Sequence, residues 1–529
     1  MQKPLPENVD GQRRGLLGLG ASAICLAAAS PLAHAAGGPV VRTTSGRVRG
    51  SRDGDLQVFR GIRYGADTAP RRFMPPQAPA PWRGVAEATA FGPASVQPGS
   101  EPNQSEDCLF LNVTAPLAKS SRPRPVIVYI HGGAYSSGSG SSPLYDGANL
   151  CRNGDAVVVT VNHRLSLFGY LYLPGFPDSG NSGMLDLVLA LQWVRDNIAT
   201  FGGDPGCVTL LGQSGGGAKI ATLMAMPAAA GLFHRAVTMS GQQLTASGPL
   251  HAAGRTRVLL DRLGLAPERA STLATLTAAE LLKAHSGSVD PYIGRGSLYM
   301  GPVLDERSLT RHPFYPDAPP QSAGIPMMIG NTHDETRTLI GRGDPAVFDI
   351  TWDALPQRLE TELRVDISGS LVVAEYRKWD PQYSPADVFF AATTAGRSWR
   401  AAIVEAELRA AQGSPAFAYQ LDWSSPQDGG KWGAPHTLDI PLMFGTLAAR
   451  ESITGDGEVA RRVSATMQGA LLAFARAGDP NYPGLPRWEP YTLPRRATMV
   501  FNADSRLVDD PRGNERQLFA KVPFIQQGT

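Results

Sequence analysis

Three separate stretches of this 529-residue chain carry side chains that could together attack a carbonyl carbon. The first, LLGQSGGGAKI at 210–220, admits two chemistries: a glycine-rich phosphate cradle ending in Lys219, or a turn that lifts Ser214 as a nucleophile. A phosphate loop needs Gly-x-x-x-x-Gly-Lys-Ser/Thr, so that backbone amides and the lysine converge on the phosphates. Ala218 stands where its second glycine belongs and Ile220 where the magnesium-binding hydroxyl belongs, which argues against that reading. The G-x-S-x-G pattern of a strand-to-helix elbow is met in full by Gly212, Gln213, Ser214, Gly215 and Gly216. Glycines on either side of a strained serine relieve crowding where strand and helix meet.

A hydroxyl attacks at neutral pH only when a histidine takes its proton and an acid fixes the imidazole tautomer. Behind an elbow serine the acid and then the histidine follow in the chain. IPMMIGNTHDETRTLIG at 325–341 ends an apolar strand in a polar loop carrying Asp334 and Glu335, and GAPHTLDIPLMFG at 433–445 sets His436 on a Gly/Pro-rich loop. Position does not choose between the two acids. Among the other histidines, His34 lies in the N-terminal leader, His131 in a glycine loop and His333 beside the acids, while His163, His234, His251, His285 and His312 lack such a loop. A fourth stretch, PVIVYIHGGAY at 125–135, is a β-branched run ending in Gly132-Gly133-Ala134. Small residues there let backbone N–H groups approach the oxygen on which negative charge develops, and the N–H of Gly215 would complete that oxyanion hole.

The elements that must position these groups alternate. AVVVTVNHR at 156–164 reads as a further buried strand, and DLVLALQWVRDNIATFGGD at 186–204 spaces Leu187, Leu191, Val194 and Ile198 as one helix face before Gly202-Gly203. Continuous apolar strands alternating with helices predict a mainly parallel sheet covered on both faces. Helical segments around 250–290 and 345–412 are expected to cap it.

A 42% hydrophobic composition supports a large core. With 49 basic against 47 acidic residues and a net charge of +2, no global field recruits nucleic acid or an anionic membrane. Arg13-Arg14, the apolar stretch Leu16–Ala29 and Ala33-His34-Ala35 read as an export signal over residues 1–35, similar to the twin-arginine type, leaving 36–529 as a single exported domain, periplasmic or secreted. The apolar stretch is too short to span a bilayer comfortably. Past Cys25 in the leader, Cys108, Cys151 and Cys207 allow at most one bridge, and no cysteine or histidine cluster has metal spacing, so neither metal nor organic cofactor is expected.

These motifs resemble the type-B carboxylesterase and cholinesterase family of α/β-hydrolases. The likeness extends through VFRGIRYG (58–65), SEDCLFLNV (105–113), NHRLSLFGYL (162–171), NSGMLDLVLALQWVRDNIATFGGDP (181–205), GNTHDE (330–335) and GDPNYPGLPRWEPY (478–491). The resemblance implies an α/β-hydrolase fold, a large mostly parallel central sheet flanked by helices with helical cap insertions. It further implies Ser214 as nucleophile, Glu335 as acid, His436 as base, an oxyanion hole from Gly133, Ala134 and Gly215, and structural ion pairs joining Arg60 with Glu106 and Arg164 with Asp186. The chain departs from the family in Gln213, where glutamate is usual, in Ser95, where the partner of Cys108 would fall, and in QPGSEPNQSEDC (97–108), which lacks the choline-binding tryptophan. The expectation is a serine hydrolase cleaving small-molecule esters through an acyl-enzyme. It would act as a monomer or weak homo-oligomer, without nucleic acid or a membrane span. An amidase or carbamate hydrolase would use the same triad, and a non-catalytic cholinesterase-like binding protein is disfavoured by the retained residues.

Overall fold

Strand Arg124–Ile130 is buried along its whole length, and its side chains divide between two cores. Val126, Val128 and Ile130 point to one face of the sheet, Ile127 and Tyr129 to the other. The two-residue period of a strand produces that division, so a strand rich in β-branched residues on both faces must lie between two covering layers. The computed structural model describes residues 37–526 apart from 295 and 364, together with Gly528. The expected leader at 1–35 lies outside the described residues.

Eleven strands make the main sheet. In chain order they are β1 (Ser51–Asp53), β2 (Leu56–Arg63), β3 (Phe110–Pro116), β4 (Arg124–Ile130), β5 (Val157–Val161), β6 (Gly203–Gln213), β7 (Arg235–Met239), β8 (Met327–Thr332), β9 (Ala416–Leu421), β10 (Ala497–Phe501) and β11 (Arg506–Asp509). Their spatial order is β11-β10-β9-β8-β7-β6-β4-β5-β3-β2-β1. From β10 to β5 every pairing is parallel, and the outer strands pair antiparallel. Helix α1 (Ser182–Asn197) lays Leu187, Leu191 and Val194 against the first face, and Glu458–Ala477 lays Val463, Met467, Leu471 and Phe474 against the second. The helices Leu355–Leu363, Gly369–Trp379 and Pro385–Thr394 gather a third core of their own, which is the cap expected over 345–412. Cys108, Cys151 and Cys207 are free thiols.

Helix α1 begins at Ser182, five residues before Leu187, and polar contacts secure its first two turns: the Ser182 hydroxyl donates to the Asp178 carbonyl and the Ser182 carbonyl accepts from Arg164. Arg164 donates to both carboxylate oxygens of Asp186, at 2.8 Å from Nε and 2.7 Å from Nη2, and through its backbone N–H at 3.0 Å, while a fourth bond reaches the Met74 carbonyl. Both side chains are essentially fully buried. The other expected pair is not formed. Glu106 takes both hydrogen bonds from Arg72, whose guanidinium also donates to the Leu276 carbonyl. Strand β2 bulges between Phe59 and Ile62, and Arg60, at that bulge, bonds its N–H to the Ala88 carbonyl and lays its guanidinium 5.1 Å over the Phe91 ring. Arg63, after the bulge, pairs with Asp107 at 2.6 Å.

Removing one member of the Arg164–Asp186 pair strands a buried charge. Asp186→Ala is expected to cost about 3–5 kcal/mol of unfolding free energy, measured by urea denaturation.

Candidate active site

The elbow is a steric construction. Strand β6 ends at Gln213, Ser214 adopts φ 55° and ψ −126°, and helix α2 (Gly215–Leu223) starts at the next residue. A non-glycine residue at that φ is strained and persists only when its surroundings fix it. They do so here through the Ser214 N–H, which donates to the Met239 carbonyl on β7 at 2.7 Å, and the Ser214 carbonyl, which accepts from Ala218 N–H at 3.1 Å. The adjoining glycines leave room for backbone. A Cβ on Gly216 would run into the Ile130 carbonyl of β4, and one on Gly215 into the Ala134 carbonyl.

That close approach brings the 131–134 loop against the serine. Each carbonyl of this loop is held. Lys219 Nζ donates to His131 O at 3.2 Å and to Ala134 O at 2.8 Å, His131 Nδ1 faces Gly132 O at 3.0 Å, and Gly133 O accepts from the N–H groups of Ser136 and Ser137. Burial, with Lys219 nearby, lowers His131 to about 3, so the neutral ring carries its proton on the nitrogen that meets the carbonyl. Because N–H and C=O of one peptide point in opposite directions, pinning Gly132 O and Gly133 O aims the N–H groups of Gly133 and Ala134. Among the described residues neither amide, nor that of Gly215 at the positive end of α2, donates to another group of the chain.

The two acids separate cleanly. Glu335, fully buried, accepts from Thr332 N–H at 2.9 Å through Oε1 and forms a short hydrogen bond through Oε2 to His436 Nδ1. Asp334 turns the other way, to His333 at 3.3 Å, Arg337 at 3.5 Å and the Ala434 N–H at 2.9 Å. Asp334 therefore clamps the loop that carries the histidine, and Glu335 touches the histidine itself. Burial alone would raise Glu335 and lower His436, but their mutual charge and hydrogen bond win, leaving the carboxyl below and the imidazole above its ordinary range.

Three neighbours had no assigned place in the sequence reading. Gln213, which stands where the resembled family usually has glutamate, places its side-chain amide 3.2 Å from His436 Nε2. No hydrogen bond joins the Ser214 hydroxyl to the ring among the described residues. Asp439, three residues after His436, is fully buried, accepts from Tyr419 Oη at 3.0 Å, and is pushed up to about 7 by burial and by Glu335. Lys219 had been set aside with the phosphate reading. A charged residue inside the otherwise apolar run DIPLMF could have marked Asp439; nothing local marks the contact of Gln213. No group of histidines, cysteines or acids among the described residues has metal-binding geometry.

A mainly parallel sheet with an elbow serine at its centre, and a histidine and acid on loops after later strands, defines an α/β-hydrolase. The family model of the carboxylesterases matches residues 37–519. The chain is 34% identical over 496 residues to the para-nitrobenzyl esterase of Bacillus subtilis, covering 90% of this chain and 98% of that protein. It is 32% identical over 483 residues to the phenmedipham hydrolase of Pseudarthrobacter oxydans, at 87% and 94% coverage. A carboxylesterase structure from Geobacillus stearothermophilus superposes with a TM-score of 0.80 at 37% identity, covering 91% of this chain and 99% of the other. A Clostridium hathewayi esterase described as able to hydrolyse aliphatic aromatic polyesters gives 0.75 at 32% identity, over 92% and 98%. The chain belongs to the carboxylesterase family and is a carboxylic-ester hydrolase.

A carboxylate in place of Gln213 would lie within reach of Nε2. Gln213→Glu is expected to raise the His436 pKa by roughly 1 unit, read by NMR titration of the imidazole.

Proposed function

We propose that this enzyme cleaves small carboxylic esters through an acyl-enzyme on Ser214, with His436 as general base, Glu335 as its acid partner and the amides of Gly133, Ala134 and Gly215 as the oxyanion hole. The observation that carries the reading is the meeting, at one end of the parallel strands, of a strained serine, unshared amide donors and a buried Glu335–His436 pair. Ester binding would draw the Ser214 hydroxyl to Nε2 in place of the Gln213 amide. Apo sites commonly tighten this way in the Michaelis complex. His436 then takes the hydroxyl proton as Oγ bonds to the carbonyl carbon, and the carbonyl oxygen gains its charge facing the amides. The imidazolium returns the proton to the alkoxide as the carbon–oxygen bond breaks and the alcohol leaves. Water, deprotonated by His436, releases the acid and restores the serine.

The buried carboxylate of Glu335 stabilises the imidazolium in both halves of the cycle. Gln213 leaves no negative charge beside the nucleophile, which favours neutral over cationic esters. An amide or carbamate would meet the same groups and differ in how the leaving nitrogen is protonated. The leader at 1–35 supports export as the setting for this activity.

Organophosphate labelling is expected to be stoichiometric in the wild type and absent in Ser214→Ala. Glu335→Gln should lower kcat by about 10³- to 10⁴-fold with the fold retained, while Asp334→Asn stays within about tenfold; a fully active Glu335→Gln would transfer the acid role. Only neutral His436 accepts a proton, and Glu335 raises its pKa above 6.5. The kcat/KM profile should therefore fall on the acid side through a midpoint above that of a free imidazole, and the midpoint should drop in the residual activity of Glu335→Gln.

A further inference from the structure

We propose that Lys219 is a positioning residue of the oxyanion hole: its buried amino group ties together the two ends of the 131–134 loop and, while protonated, sets a positive charge beneath the amides that receive the substrate oxygen. The inference rests on the role assigned to Ser214 above and extends it to a side chain outside the triad.

Lys219 is fully buried on α2, five residues after Ser214. Burying an ammonium is costly unless it is paired and hydrogen-bonded, and buried lysines usually meet a carboxylate. Among the described residues no acid lies within ion-pair distance of Lys219. Its partners are the carbonyls of His131 and Ala134 and the face of Tyr135, with Nζ 5.5 Å from the ring centre. The other titratable groups facing it are His131 and His163, whose rings stack at 4.8 Å. Burial and the charge of Lys219 keep both imidazoles neutral. The cluster beneath the loop therefore holds one cation, with no counter-ion to cancel its field.

A residue needed only to fill this space could be apolar. What the ammonium adds is specific to the loop, because the two carbonyls it grips bracket the peptides whose N–H groups form the hole. Its charge also lies behind Ala134, on the side toward which negative charge moves as the tetrahedral intermediate forms. A preorganised charge that meets the transition state more strongly than the ester raises kcat without tightening ground-state binding. Burial lowers Lys219 to about 7. The charge is thus present on the acid side of that value and lost above it, which opposes the requirement for neutral His436.

The test uses the full chain and its Lys219→Met and Lys219→Gln variants, with organophosphate titration counting competent serines in each. The readouts are kcat and KM for a p-nitrophenyl ester and the affinity for a trifluoromethyl ketone, whose hemiketal with Ser214 carries the oxyanion. Lys219→Met should keep stoichiometric labelling and a KM within about twofold while kcat and ketone affinity both fall by about 10- to 100-fold. Lys219→Gln, which keeps a donor without charge, should fall between it and the wild type. Wild-type ketone affinity should weaken as pH rises through the titration of Lys219, and the variants should lose that step. Wild-type kcat and ketone affinity in both variants would overturn the proposal, as would losses confined to KM or to the fraction of labelled enzyme. Should Lys219→Met fold poorly, Lys219→Gln and the wild-type pH profile decide. An unlabelled wild type would instead overturn the role of Ser214, a distinguishable failure.

Discussion

Backbone packed against backbone at the end of β6 is the constraint on which the site depends. Ser214 holds an unfavourable φ because β4 on one side and the turn after β7 on the other leave it no alternative. A Cβ at Gly216 or Gly241 would collide with the main chain of Ile130 or of Ser214 itself. The sheet order follows from the same requirement. β6 lies between β4 and β7, so the strand that brings the nucleophile is hydrogen-bonded to the strand that brings the oxyanion loop. Ser214 and the 131–134 loop are thus referred to one rigid frame, which on the proposed mechanism would supply orientation before substrate arrives.

Charge is the second organising quantity. Glu335 and Asp439 are buried near each other, and their repulsion is resolved unequally: Glu335 is held ionised by His436 and the Thr332 amide, while Asp439, hydrogen-bonded to Tyr419 but, among the described residues, without a cationic partner of its own, is driven toward its neutral form by burial and by Glu335. Two carboxyl groups in one low-dielectric pocket are tolerable when their environments push them apart in this way. Beside the 131–134 loop, among the described residues, the buried basic side chain in hydrogen-bond contact is Lys219. On the proposed mechanism a carboxylate would stand behind the imidazole and, while Lys219 is protonated, an ammonium behind the amides of the 131–134 loop.

Much of this was legible in the residues. The elbow, the glycine loop and the alternation of strand and helix read directly, because each rests on local chemistry: small residues where backbones touch, and apolar runs where both faces are covered. The choice between Asp334 and Glu335 was not local. They are neighbours on one loop, and only the path of the chain around 433–436 decides which one meets the imidazole and which one clamps Ala434. The resemblance to a family pointed to Glu335, the acid that meets the imidazole, and its expected pairing of Arg60 with Glu106 is not met, since Glu106 is taken by Arg72 from a different segment.

Gln213 shows how a single replacement acts beyond its formal charge. As a glutamate it would face His436 Nε2 with an acceptor, favour the imidazolium and raise the pH at which the base becomes available. As an amide it can donate to the unprotonated nitrogen, holding the ring in the tautomer that base catalysis needs, with Nδ1–H on Glu335 and the Nε2 lone pair on the Gln213 amide. The same contact competes with the hydroxyl for that lone pair, so the resting ring is preorganised in protonation state but not yet engaged. On the proposed mechanism, an ester seated with its carbonyl oxygen on the three amides would bring its carbon over Oγ, and the hydroxyl proton would meet a nitrogen already in the form that accepts it. In that reading, separating the proton inventory from the final hydrogen bond would let the site rest without a Ser–His contact and commit to attack only when an ester fills the amide pocket.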